Sequence, residues 1–360
     1  MIRNVFIVLI ICCLGPVSGS PPPTYDSIFS FGDSLADTGN LLLSGALTFP
    51  FIAKLPYGQT FFHYPTGRCS DGRLVVDFIA EAYGLPYLPP YLAVAKGEKF
   101  EHGVNFAVAG ATALDAKFFY DRKIGSQLLL TNGSLSVQLA WFSNLKSTLI
   151  CPTKQDCARR FQKSLFLVGE IGGNDYNYPF FGGGTIQQLK ALVPLVVETI
   201  ANATSGNLPI GCNAVYLTLF RTPNKAAYDR NGCLKAYNGF SKYHNSMLKL
   251  ALENLRHKYP HANIIYADYY AAAKRFFHAP HHYGFTNGAL VACCGGGGPY
   301  NFNNSAICGS PGSKSCLDPA TYANWDGIHL TEAAYRYIAM GLLNGSFTEP
   351  PLTFPHIKPF

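Results

Sequence analysis

Ser27-Ile28-Phe29-Ser30-Phe31-Gly32-Asp33-Ser34-Leu35-Ala36-Asp37-Thr38-Gly39-Asn40 is the stretch on which the fold of this chain turns. Ile28, Phe29 and Phe31 form a short apolar run that reads as a buried strand. The run stops at Gly32, and a polar turn follows that carries the hydroxyl of Ser34. A serine just past the carboxyl end of a strand stands where open α/β sheets display their reactive groups. Most serines in that position are caps or turn residues, so the short motif decides nothing alone.

Working outward, the same strand-then-turn pattern returns. Gly103 to Val108 reads as a second strand ending in Ala109-Gly110-Ala111-Thr112. Leu165 to Val168 is a third, a continuous apolar run of the kind covered on both faces, followed by Gly169-Glu170-Ile171-Gly172-Gly173-Asn174-Asp175. Asn263 to Ala267 predicts another strand, ending at Asp268. Helical spacing is found over 72–81, 135–149, 186–200 (despite Pro194), 233–259, 269–277 and 331–343. On the longest of these, Tyr237, Phe240, Tyr243, Leu248 and Leu255 are the candidate inner positions, while Val215 to Thr218 fits either state. Thr331 is the expected cap of the last helix, with Glu332 in its first turn. Strands alternating with helices predict an α/β fold with a mostly parallel sheet and helices on both faces. No repeat, linker or composition break divides residues 21–360, so a single domain is expected there.

Hydrophobic residues make up 48% of the 360 and charged residues 14%, which suits a globular chain with a sizeable core. The net charge of +7 comes without any Lys/Arg block, so nucleic-acid binding gets no support. Arg3, the apolar run Val5 to Leu14, Pro16 and Ser18-Gly19-Ser20 have the layout of a signal peptide over residues 1–20. That run is too short to span a bilayer, and no later stretch is long and apolar enough. The mature chain is therefore expected to be secreted, extracellular or vacuolar, without a membrane anchor.

Removing Cys12 and Cys13 from the eleven cysteines leaves nine, and secretion makes disulfides their default state. Cys151 and Cys157 close a short loop, Cys212 and Cys233 bracket another, and Cys293, Cys294, Cys308 and Cys316 crowd the last third. Spacing does not decide the pairing, but an odd count leaves a thiol over, with Cys69 the candidate. Asn132, Asn202, Asn303 and Asn344 open Asn-x-Ser/Thr sequons and are candidate glycosylation sites.

A serine needs a base before it can act as a nucleophile. Of ten histidines, His329 alone sits in a suitable setting, Asn324-Trp325-Asp326-Gly327-Ile328-His329, just ahead of the last helix. Asp326 can hold one ring nitrogen and leave the other facing Ser34. A carbonyl under attack also needs donors for its oxyanion. Gly110 and Asn174, in the turns after the second and third strands, could supply them, although a turn glycine and an αL asparagine are the plain alternatives. Gly-x-Ser-x-Gly is absent, and Gly295 to Gly298 lacks the Lys-Ser/Thr of a phosphate loop. His278, His281 and His282 have no Glu-bearing helix to complete a metal site and read as surface-loop residues.

The segment around Gly32-Asp33-Ser34-Leu35 resembles the opening block of the GDSL esterase/lipase family, within the SGNH hydrolase superfamily. Asn105 to Thr112 is similar to the family's second block, Gly172 to Asp175 to its third, and Asn324 to Leu330 to its last. The likeness runs from Ile28 to about Pro351. It is strongest to plant members, in particular the sinapine esterase and acetylajmalan esterase group, through Ala292 to Asn301 and Asn324 to Tyr335. The resemblance implies a three-layer α/β/α flavodoxin-like fold and hydrolysis of a small-molecule ester without metal or organic cofactor. It implies Ser34 as nucleophile, His329 as base, Asp326 as its orienting partner, and an oxyanion hole made by the Ser34 N–H, the Gly110 N–H and the Asn174 side chain. Asp33 is implied as a supporting residue, and a monomer is expected.

One region departs from the family pattern. Relatives carry an apolar strand before the loop that resembles Gly206 to Cys212, whereas Thr199 to Ser205 runs almost straight from helix into that loop. A strand near residues 200–206 is therefore expected to be missing. Either Leu192 to Val197 is recruited in its place, or the sheet is left with an exposed edge. A non-catalytic secreted glycoprotein on the same fold is the alternative this favours. Tyr57, Phe61, Phe62, Tyr64, Tyr176, Tyr178, Phe180 and Phe181 either line an aryl-accepting cleft or simply pack, and packing is the favoured reading.

Overall fold

β1, Ser27–Phe31, runs between two parallel neighbours, β2 at Gly103–Asn105 and β3 at Ser164–Val168. These strands belong to a computed structural model that describes residues 25–45, 48–146, 153–201 and 208–352. Ile28 pairs with Gly103 on one side and Leu165 on the other. At Gly103 (φ +112°) a Cβ would come within 1.7 Å of the Ile28 carbonyl oxygen, so this approach admits only glycine.

The two-residue period of the strands sorts their side chains into two apolar layers. Phe29 and Phe31 join Phe166 and Val168 on one face, under the helices Leu135–Leu145, Val193–Ala201 and Lys235–Lys258. Ile28, Leu165 and Leu167 meet the helices Val75–Ala82, Tyr269–His278 and Glu332–Leu343 on the other. The result is an α/β fold with helices on both sides of a parallel sheet, as expected.

Helix ends follow local chemistry. The helix Val75–Ala82 starts three residues later than spacing alone predicts, because the Asp77 carboxylate takes the Leu74 N–H at 2.8 Å. The expected helix over 186–200 is two helices, Ile186–Lys190 and Val193–Ala201. Pro194 falls in the first turn of the second, where its missing N–H costs nothing. The helix from Leu135 is described to Leu145, and residues 147–150 lie outside the described part. Val215 to Thr218 is helical, within Ala214–Leu219. On Lys235–Lys258, Phe240 and Leu248 face inward as expected, but Tyr243 is exposed and His244 occupies the buried position beside it. The Thr331 hydroxyl caps the last helix by accepting the Ala334 N–H at 3.3 Å.

Among the described residues the central sheet ends at β3. Leu192 to Val197 is not recruited as a strand: Val193 begins a helix, and residues 202–207 lie outside the described part. The third strand, expected to be covered on both faces, is half-buried from Leu165 to Val168, whereas β1 is buried throughout. Of the strand expected at 263–267, only β4, Tyr266–Ala267, is paired. Its partner is not the central sheet but Thr348–Glu349, antiparallel. Neighbouring strands hydrogen-bond only about 4.8 Å apart, so without an intervening strand β4 has no reach to β3.

Three disulfides, Cys212–Cys233, Cys293–Cys316 and Cys294–Cys308, are formed among the described residues, and Cys157 is disulfide-bonded too. Cys69 is the free, buried thiol, and Cys151 lies outside the described part. The C-terminal pair has a positional role, since Cys293 and Cys294 donate their N–H groups to the carbonyls of Asn324 and Trp325 at 3.0 and 2.7 Å. No helix among the described residues is long and apolar enough to cross a membrane. The expected signal peptide, residues 1–20, falls outside them.

Candidate active site

The turn that carries Ser34 is tied down from three directions. Gln138, buried on the helix Leu135–Leu145, accepts the Gly32 N–H at 2.9 Å and donates to the Gly32 carbonyl at 2.8 Å. Asp33 donates its N–H to the carbonyl of Glu170, at the end of β3, at 2.9 Å. The Asp37 carboxylate accepts four backbone N–H groups, those of Gly39, Asn40, Leu41 and Ala109. Asn40 adds two bonds to the carbonyls of Asn105 and Ala107, so the serine turn and the loop after β2 form one rigid unit.

His329 reaches this turn from the far end of the chain. Its Nε2 lies 2.8 Å from Ser34 Oγ, and its Nδ1 lies 2.7 Å from Asp326 Oδ2. The other Asp326 oxygen accepts the N–H groups of Ile328 and His329 at 3.0 and 2.9 Å. Gly327 makes the tight turn possible: its φ is +102°, and a Cβ there would sit 2.4 Å from the Phe302 ring. All three side chains are buried, Ser34 at 8%, Asp326 at 7% and His329 at 6% exposure.

Burial by itself would raise the Asp326 carboxyl, but the His329 ring and the two backbone donors outweigh it and hold the pKa below its ordinary value. Burial would likewise lower His329. The Asp326 carboxylate and the adjacent Cys69 sulfur overcome that, and the ring is raised well above its usual range. Asp33, next to the serine, is pushed up to about 7, chiefly by burial.

The donors expected for an oxyanion are differently placed. Neither the Ser34 N–H nor the Gly110 N–H has an acceptor among the described residues. Asn174 holds its amide nitrogen 3.0 Å from the Ala111 carbonyl, one residue past Gly110, and 3.4 Å from Asp33 Oδ2. Asn177 donates to the Asn174 oxygen at 3.2 Å, which fixes which end of the amide faces the serine turn. Ser34 and Asn174 line one cleft, together with Glu170, Phe181, Val215 and Tyr216. Gly110 is buried beside it and does not line it.

The sequence profile of the GDSL-like lipase/acylhydrolase family matches residues 28–342. The chain belongs to that family. A GDSL esterase/lipase of Arabidopsis thaliana is 55% identical over 348 residues, spanning 92% of this chain and 93% of the relative. A second from the same plant is 50% identical, over 93% of this chain and 88% of its own length. Sinapine esterase of Brassica napus is 50% identical, over 91% and 87%. Membership makes this GDSL chain a carboxylic ester hydrolase by class.

Sequence reasoning missed two residues that brace this candidate site, Tyr57 and Gln138. Tyr57 donates its hydroxyl to Asp326 Oδ2 at 2.8 Å across 269 positions, and nothing in its loop signals that partner. Gln138 did leave a signal, as a polar residue on the inward face of an amphipathic helix. Among the aromatics, Phe181 lines the cleft. Tyr57, Tyr176, Tyr178 and Phe180 are buried core, and Phe61, Phe62 and Tyr64 cluster near the surface around Tyr87, so packing is the better account of them. His278, His281 and His282 are exposed. So are Asn132, Asn303 and Asn344, while Asn202 lies outside the described residues.

Proposed function

We propose that the chain is a secreted serine esterase acting on small-molecule carboxylic esters. Ser34 Oγ attacks the ester carbonyl as its proton passes to His329 Nε2. The resulting oxyanion takes hydrogen bonds from the Ser34 N–H, the Gly110 N–H and the Asn174 amide. When the tetrahedral centre collapses, the carbon–oxygen bond to the alcohol breaks and His329 returns its proton to the departing oxygen. Water, deprotonated by the same ring, then releases the acyl group and restores the Ser34 hydroxyl.

One observation carries this reading: the unbroken chain of short hydrogen bonds Ser34 Oγ–His329 Nε2 and His329 Nδ1–Asp326 Oδ2, at 2.8 and 2.7 Å. The unpartnered N–H groups of Ser34 and Gly110 support the oxyanion assignment, because buried donors left without acceptors are rare unless a ligand completes them. Three disulfides and exposed sequons at Asn132, Asn303 and Asn344 support a secreted glycoprotein. We further infer a monomer, matured by loss of residues 1–20 and spanning 21–360 as one domain. The test is a fluorophosphonate probe on the purified protein with a panel of short acyl, aryl and sugar esters. The name of the Brassica napus relative puts sinapine on that panel. Labelling and hydrolysis are expected, and Ser34→Ala abolishes both. A folded protein that takes no label ends the proposal.

The shortened sheet favours a second reading, a non-catalytic glycoprotein on this fold. The same probe separates the two, since only the esterase is labelled at Ser34.

A further inference from the structure

We propose that Tyr57 is a positioning residue of this site, a fourth member that holds the Asp326 carboxylate and tempers its pull on His329. The proposal rests on the Ser34–His329–Asp326 reading above. Asp326 Oδ2 accepts two hydrogen bonds, from His329 Nδ1 at 2.7 Å and from the Tyr57 hydroxyl at 2.8 Å. A carboxylate oxygen shared in this way divides its charge between two donors. The Tyr57 bond therefore reduces the negative charge that stabilises the imidazolium. It also stops the carboxylate from rotating about its own axis, since Oδ1 is held by two backbone N–H groups and Oδ2 by two side chains.

Tyr57 is built to stay a donor. It is 1% exposed, and burial together with the neighbouring Asp326 keeps its phenol protonated. Its ring is placed independently of the hydroxyl, edge-on to Trp325 at 5.9 Å and to Phe49 at 6.1 Å. Gly58, which follows, is required by the turn that aims the ring: its φ is +77°, and a Cβ there would lie 2.2 Å from the Tyr64 carbonyl oxygen. The other titratable groups around His329 and Asp326 are Asp33 on the serine turn, Cys69 on the loop before Val75, and Tyr335 on the last helix. Tyr57→Phe keeps each of these side chains, so the variant differs from wild type in the Tyr57 hydroxyl alone.

Tyr57→Phe leaves the ring and takes away the donor. The freed carboxylate holds a proton on His329 more tightly, so the acid limb of kcat/KM moves to higher pH, by about half a unit. kcat falls about tenfold, with KM little changed. Phe49→Leu is the companion variant, which loosens the ring's packing but keeps the hydroxyl. It is expected to lower Tm without moving the limb. A Tyr57→Phe profile that superimposes on wild type, or a shift that Phe49→Leu reproduces, overturns the proposal. Fluorophosphonate labelling of the same samples keeps the two readings apart. If wild type is labelled and Tyr57→Phe has an unshifted profile, Tyr57 alone is misassigned. If wild type takes no label, the esterase reading itself has failed.

Discussion

His329 Nε2 stands 2.8 Å from Ser34 Oγ, although 295 positions of chain separate the two residues. The contact spans the molecule's topology. Ser34 rides on the end of the central strand, and His329 on the loop that the C-terminal disulfides brace from behind. The carboxylate at its other nitrogen raises the ring's pKa above the ordinary 6.5. In the proposed mechanism His329 is neutral when it accepts the Ser34 proton, so activity is expected only as the pH rises through that raised value. The acid limb of kcat/KM against pH is expected to have its midpoint above 6.5. A midpoint below that value, measured with a substrate whose own ionisation lies elsewhere, would show that the ring is not under the control of Asp326.

As a proposed oxyanion donor, Asn174 is expected to bear on kcat rather than on substrate capture. Its amide is oriented by the Ala111 carbonyl and by Asn177, at 3.0 and 3.2 Å, so in the proposed role it would need little reorganisation. Removing one such donor typically lowers kcat by about 10²- to 10³-fold. Asn174→Ala is therefore expected to cut kcat by about that factor and to leave KM within a few-fold of wild type. Steady-state kinetics on a protein with an unchanged melting profile makes the comparison, and a kcat within threefold of wild type removes Asn174 from the oxyanion hole.

His244 makes folding sensitive to acid. It is fully buried, its Nδ1 lies 2.8 Å from the Tyr176 hydroxyl, and burial lowers its pKa from 6.5 to about 3. The unfolded chain takes up a proton below 6.5 that the folded chain refuses until about 3, so this contribution is complete above 6.5 and lost as pH falls between those values. His244→Gln, whose side-chain oxygen can still accept from Tyr176, removes that dependence. Denaturant unfolding from pH 7 to 4 is expected to show wild type losing about 1.4 kcal/mol per pH unit relative to the variant once well below 6.5. Parallel curves for the two proteins would mean that His244 is protonated in the folded state.

The parts of this site that were legible beforehand are those written locally. Gly32-Asp33-Ser34, Gly110, Gly172-Gly173-Asn174 and Asp326-Gly327-Ile328-His329 each fit within a few residues, because a turn after a strand needs its glycine and its polar group side by side. Asp326 and His329 illustrate the point: three positions apart, they are close enough for the turn at Gly327 to join them without help from the rest of the fold. Tyr57 illustrates the opposite case. Its loop reads as one more aromatic segment, and its hydroxyl acquires a role only when folding sets it against a carboxylate from the other end of the chain.

The strand expected from 263 to 267 was misjudged for a related reason. Composition marks which residues favour an extended backbone, but pairing depends on whether a neighbour lies within hydrogen-bonding distance. With the sheet ending at β3, Tyr266 and Ala267 turn to Thr348 and Glu349 instead. The alternation of apolar segments, the order of the motif blocks and the candidate reacting groups were thus legible in the sequence alone, since each depends on near neighbours. Tertiary structure alone decided how the C-terminal cysteines pair, what β4 pairs with and which side chains brace the Asp326 carboxylate, because these depend on distances between segments that no local pattern encodes.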